Sequence, residues 1–126
     1  MKIISVSLEK SGVDEIDEAL ELTGMKSRSK LIRHAMNEFL GRQKSLSKLS
    51  GSATVVFMIT HPHLHKTEVT SAIHGYESLV KTVLHHHSKR GCLDILIAEG
   101  EAFQIKQLYK KLENMEGVEG VNFSII

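Results

Sequence analysis

With 126 residues, 16 basic against 15 acidic side chains and a formal net charge of +1, the chain has room for one ordinary domain or two small ones, and its overall charge points neither toward nor away from nucleic acid. A single cysteine, Cys92, excludes an internal disulfide framework and fits a reducing compartment, where a lone thiol is buried, reactive or a metal ligand. No stretch approaches the roughly 18 apolar residues of a membrane span, and the first residues alternate instead of forming an apolar run, so a soluble cytoplasmic protein with no membrane partner is expected.

The N-terminus opens on a strand pattern. Ile4, Val6 and Leu8 share one face, and Ile3, Ser5 and Ser7 share the other. A helix over about residues 13–22 follows, with Val13, Ile16, Ala19 and Leu20 as its apolar stripe and Gly24 as its stop. Ser27 then reads as an N-cap for a second helix over about residues 28–42, whose stripe is Leu31, Ile32, Ala35, Met36, Phe39 and Leu40. A lone strand has nothing to pair with, and a segment of about 45 residues cannot bury a full core by itself. Two copies that pair their strands into an antiparallel ribbon solve both problems. Such a ribbon fits the DNA major groove, with Ile3, Ser5 and Ser7 facing the bases. Ser27, Arg28, Ser29 and Lys30 open the second helix, where free N–H groups and the helix dipole suit a phosphate.

These residues resemble the ribbon-helix-helix family of DNA-binding proteins: Ile4-Ser5-Val6-Ser7-Leu8-Glu9, the turn Gly24-Met25-Lys26-Ser27-Arg28-Ser29, and Ile32-Arg33. The resemblance implies a double-stranded operator as partner. Ile3 departs from a pattern that often has a base-reading arginine in the ribbon. A non-metal regulator with the same N-terminal segment is the competing reading of these residues alone.

Residues 44–52, rich in serine with a glycine, read as a linker, which divides the chain into residues 1–43, the linker 44–52, and a second domain over 53–126. The second domain has the pattern strand 53–60, helix 66–80, strand 81–87, strand 92–98, helix 101–114 and strand 118–125. That order is βαββαβ, an α+β ferredoxin-like or ACT-like sandwich with both helices on one face of an antiparallel sheet. Residues 92–97 carry apolar groups on both faces, so the uncovered face is expected to pack on another copy.

Seven of the eight histidines lie between positions 61 and 87. On a strand His85 and His87 share a face, while His86 points the other way. If residues 88–91 make the hairpin loop, His87 and Cys92 become a cross-strand pair on that face. Two imidazoles and a thiolate favour zinc, nickel or copper over magnesium or calcium. His74, on the preceding helix, is the candidate for a fourth ligand. His61, His63 and His65, around Pro62, read as solvated, and His34 has no assigned role.

Together with the N-terminal segment, the His-x-His pair, the downstream cysteine and a histidine eleven residues before the pair resemble the nickel-responsive transcriptional regulators. The resemblance implies one Ni(II) per chain, held in a plane by His85, His87 and Cys92 of one chain and His74 of another. It also implies a tetramer, built as a dimer of dimers, that represses transcription. Family members place five residues between the second histidine and the cysteine, and here there are four. The shorter loop keeps His86 in competition for a ligand position. With His74 on a helix and the opposite sheet face paired to a neighbour, His74 is expected to reach a neighbour's strand better than its own. Cobalt, copper or zinc as the sensed metal, or a small organic effector at the ACT-like domain, are the alternative readings. An enzyme is not expected, because no carboxylate base other than Asp94 is near and the four ligands leave no substrate site.

Overall fold

The computed structural model describes residues 1–126, and the chain falls into two compact units, Met1–Lys44 and Ser45–Ile126. In the first unit helix α1 spans Lys10–Thr23, and helix α2, Arg28–Ser47, begins there and ends in the second. Gly24 adopts the left-handed conformation at φ 72° and donates its N–H to Leu20 O, which terminates α1 as its position in the sequence suggests. Ser27 Oγ accepts the N–H of Lys30 at 3.1 Å, so Ser27 caps α2.

Residues 1–9 form no strand in the single chain. Ile3 is 92% exposed and Ile4 82%, and Ile32, Met36, Phe39 and Leu40 of α2 are uncovered as well. No residue of α1 is buried, and the one buried residue of α2, Leu46, belongs to the second unit. The apolar stripes foreseen in the sequence are therefore present: Val13, Ile16, Ala19, Leu20 and Leu31 are half-buried, and the rest of the α2 stripe is largely uncovered in one chain.

In the second unit strand β1 is Ser52–His61, helix α3 is Lys66–His74, strands β2 and β3 are Val80–His87 and Cys92–Glu101, helix α4 is Ala102–Glu113 and strand β4 is Gly120–Ile125. A short 3-10 turn, His63–His65, leads into α3. The sheet order is β2-β3-β1-β4 with every neighbouring pair antiparallel, the βαββαβ arrangement expected. Burial alternates along β1 (Val55, Phe57, Ile59, His61) and β3 (Cys92, Asp94, Leu96, Ala98). The register Phe57↔Leu96, Ile59↔Asp94 and His61↔Cys92 puts both sets on one face. Val69 and Ile73 of α3 and Ile105, Leu108, Tyr109 and Leu112 of α4 close that face into the core. The other face, with Val56, Met58, Leu93, Ile95 and Ile97, stays partly open.

Two boundaries differ from the sequence reading. Helix α3 ends at His74 instead of about residue 80, because Gly75 begins a run of tight turns in which Tyr76 O accepts the N–H of both Leu79 and Val80. The turns let Leu79 enter the core and start β2. The segment read as a linker, 44–52, is largely structured: α2 runs on to Ser47, and Leu46, 4% exposed, lies in the core with Leu49 packed against it. Serine content dominated the sequence pattern there, whereas two leucines decide the fold.

Leu46→Ala should destabilise the second unit by about 2–5 kcal/mol, the range for emptying a core leucine site. Urea unfolding of the full chain checks this. A change under about 0.5 kcal/mol, as at a solvated surface position, would return the segment to a linker.

Candidate metal centre and nucleic-acid interface

The β2–β3 hairpin sets the geometry. His87 pairs with Cys92, His85 with Asp94 and Val83 with Leu96. All six side chains thus lie on the sheet face that carries the helices, while His86, opposite Leu93, lies on the other. By this alternation His86 turns to the sheet face opposite that of Cys92. In the loop, Gly91 O accepts from the N–H and the hydroxyl of Ser88, each at 2.9 Å. A Cβ on Gly91 would stand 3.0 Å from His61 O, so the loop tip approaches the end of β1 as closely as a glycine permits.

Two groups of donors result. In the first, His63, His87 and Cys92 each offer an atom within 4.8 Å of the others. His87 Nδ1 is 3.6 Å from Cys92 Sγ, and the rings of His63 and His87 stack at 3.7 Å. His63 Nε2–H donates to Ser88 O at 2.8 Å. In the second, His61, His85 and Asp94 converge. Asp94 accepts from His61 Nε2 at 2.7 Å and from His85 Nδ1 at 2.6 Å, and His61 Nδ1 lies 3.0 Å from Pro62 O. A carboxylate on one ring nitrogen of His85 leaves Nε2 with its lone pair, the arrangement metal-ligating histidines adopt. The pKa of His87 is lowered, first by the neighbouring charge of His63 and then by desolvation, with Lys66, His85 and His86 adding to it. Lowering keeps the imidazole neutral, which is its ligating form. Thiolate and imidazole donors suit nickel and its neighbours in the transition series.

His74 ends α3, exposed, and lines with His85, Asp94 and Val83 a cavity of about 320 Å³ between α3 and β2. Helix α3 lies on the sheet face that carries the hairpin donors. His74 nonetheless belongs to neither three-donor group of its own chain.

The reading of His61, His63 and His65 as solvated is corrected for His61, which is buried and bound to Asp94. His63 is exposed but sits over the hairpin, and the half-buried His65 ring packs on Gly117, where an added Cβ would collide with it. The missed residues are His61, His63 and Asp94. The alternation Val55, Phe57, Ile59, His61 was a sequence signal for the first, and Cys92, Asp94, Leu96, Ala98 for the third. Nothing in the local pattern marks His63, whose place depends on the turn after Pro62.

At the N-terminal unit, Ile3, Ser5, Ser7, Ser29 and Lys30 are exposed. Arg28 is engaged: its Nε and Nη2 donate to Asp17 Oδ1 and Oδ2 at 2.8 and 2.9 Å, a bidentate pair joining α2 to α1. That hydrogen bond holds the Asp17 carboxyl below its ordinary value and the Arg28 guanidinium above its own. In the single chain, then, Arg28 is paired across the two helices with Asp17.

Comparison with known proteins agrees with both halves. Residues 50–126 match the family described as NikR C terminal nickel binding domain, and residues 2–43 match the ribbon-helix-helix protein, copG family. The chain is 31% identical over 129 residues to "Putative nickel-responsive regulator 2" of Methanothermobacter thermautotrophicus, covering 98% of this chain and 91% of that one. It is 32% identical over 131 residues to "Putative nickel-responsive regulator" of Methanococcus maripaludis strain C5, covering 100% and 92%. An uncharacterized protein from Thermotoga maritima shares the fold of 60% of this chain, over 99% of its own, with a TM-score of 0.55 at 14% identity. The chain belongs to the family of nickel-responsive transcriptional regulators, a ribbon-helix-helix DNA-binding segment followed by a nickel-binding domain, and is not an enzyme.

Proposed function

We propose that the protein represses transcription in response to nickel, holding one Ni(II) per chain through His85, His87 and Cys92 of one chain and His74 of a neighbour, in a tetramer built as a dimer of dimers. The observation that carries this reading is the hairpin register, which puts His85, His87 and Cys92 on one sheet face beneath a helix that ends in His74. His74 belongs to neither donor group of its own chain, which supports drawing the fourth ligand from a neighbour. The bound ion would supply a bridge between chains. Binding only to the assembled form stabilises it by mass action, roughly 2.7 kcal/mol when free metal is a hundred times the dissociation constant.

On the DNA side, two copies pair residues 3–8 into a ribbon that presents Ile3, Ser5 and Ser7 to the bases. The apolar residues left bare in one chain, Ile4, Val6, Leu8, Ile32 and Met36, give that pairing its driving force. At the start of α2 the Ser27 hydroxyl occupies the N–H of Lys30, and the N–H groups of Arg28 and Ser29 remain for a phosphate, with the Lys30 side chain beside them. Arg28 sets the angle of that helix through Asp17.

Cys92→Ser should abolish thiolate-to-nickel absorption, and an unchanged spectrum would end the assignment. Nickel affinity should fall as pH is lowered, because thiol and imidazole protons compete with the metal. The lowered pKa of His87 keeps that ring neutral, and so able to bind, to a lower pH than an ordinary histidine allows.

Chains carrying His74→Ala and chains carrying Cys92→Ala should each bind nickel poorly. Refolded together, they should recover part of the wild-type binding, since a hybrid site can draw His74 from one and the hairpin donors from the other. No recovery in mixed tetramers would place all ligands in one chain.

For DNA, Asp17→Ala should weaken operator binding about as much as Arg28→Ala, and similarly on all sequences. A double change at Ser5 and Ser7 should instead alter preference among sequences. If Asp17→Ala leaves binding intact while Arg28→Ala destroys it, Arg28 contacts the phosphate directly.

A further inference from the structure

His63 has no part in the four-ligand centre just described, yet it is the histidine that joins His87 and Cys92 within one chain. We propose that His63, His87 and Cys92 form a metal-capture site contained in a single chain, which takes a divalent ion of the zinc, cobalt and nickel class without His74 and without His85. The inference rests on the reading of His87 and Cys92 as nickel ligands and gives those two residues a second way to hold a metal.

The geometry is close to that of a bound set. Bonds of about 2.0–2.1 Å to nitrogen and 2.3 Å to sulfur separate two ligands of one tetrahedral ion by roughly 3.5 Å. His87 Nδ1 and Cys92 Sγ stand at 3.6 Å, and His63, His87 and Cys92 can each bring one ligand atom within 4.8 Å of the others. His63 also carries the partner that ligating histidines use. Since Ser88 O can only accept, the Nε2–H of His63 is its donor, and the neutral ring then keeps its lone pair on Nδ1.

Local structure holds His63 in place. Pro62, extended at φ −64° and ψ 156°, turns the chain out of β1 into the His63–His65 turn, and the loop tip at Gly91 closes against His61 O. The His63 ring lies flat against that of His87. His85 is held apart, its Nδ1 on Asp94 in the group with His61. One thiolate and two imidazoles with no carboxylate among them select against magnesium and calcium, and three protein ligands with an open position are a known arrangement for zinc. Sharing His87 and Cys92 makes the two modes mutually exclusive. A chain can thus pick up its ion before assembly and yield it to the shared centre when a neighbour's His74 arrives.

The test uses Co(II), read by its thiolate charge-transfer and visible bands, on full-length protein. His63 and His74 are both exposed, so replacing them leaves the core intact, and circular dichroism checks folding. The background is His74→Ala, which removes the neighbour's ligand. To it is added either His63→Ala or His85→Gln, whose amide can still donate to Asp94. The background variant should bind Co(II) with a thiolate band. Adding His63→Ala should lower affinity more than about 100-fold, beyond the cost of losing an outer-shell partner, and adding His85→Gln should lower it less than about tenfold. A background variant with no thiolate band, or a loss with His85→Gln as large as with His63→Ala, overturns the capture site and leaves the shared nickel centre standing. If the wild-type protein itself shows no band that Cys92→Ser removes, the nickel reading falls as well.

Discussion

The antiparallel pairing of β2 with β3 governs the chemistry of the second unit. Side chains alternate across a sheet, so the register that sets His87 against Cys92 also sets His85 against Asp94 and sends His86 to the opposite face. A slip of one residue would exchange the faces: His86 would take the place of its neighbours and two imidazoles would leave the centre. On β3 the phase is set by burial: Leu96, Ala98 and Cys92 can enter the core only as observed, as can Phe57 and Ile59 on the adjoining strand. The face on which Cys92 and Asp94 stand is therefore fixed by apolar residues away from the candidate centre.

Asp94 shows how a polar group is tolerated inside such a face. It is 4% exposed and sits opposite Ile59, yet both carboxylate oxygens are occupied, one by each flanking histidine. An unpartnered carboxylate there would carry a heavy desolvation cost. Paired in this way it fixes the ring of His85 and fills the space behind the candidate centre. The N-terminal unit presents the opposite situation, with apolar residues outside and no core of its own.

Much of this was legible in the sequence because period-2 and period-3.6 patterns report burial directly. The βαββαβ order, the sharing of a face by His85, His87 and Cys92, and the cap residues Gly24 and Ser27 all follow from local spacing. What was hidden depends on tertiary placement. His63 reaches the hairpin only through the turn after Pro62, and Arg28 meets Asp17, eleven residues earlier, only once the chain turns back between α1 and α2. The structured 45–49 segment was obscured for another reason: serine dominates the local signal there, and the deciding contacts of Leu46 and Leu49 are distant in sequence. The helix end at His74 was marked by Gly75, which a reading on to residue 80 passes over.

The burial of Leu46 bears on where the polypeptide can be divided. A fragment beginning at residue 53, where composition alone places the second domain, would leave behind Leu46 and Leu49, and also Gly51, whose carbonyl accepts the N–H of Ala102 at the start of α4. The exposed apolar hole and the freed first turn of α4 would make such a fragment prone to aggregate. One beginning at Ser45 keeps all three. The last turn of the helix that starts in the DNA-reading half is thus, by its packing, a structural part of the metal-binding half.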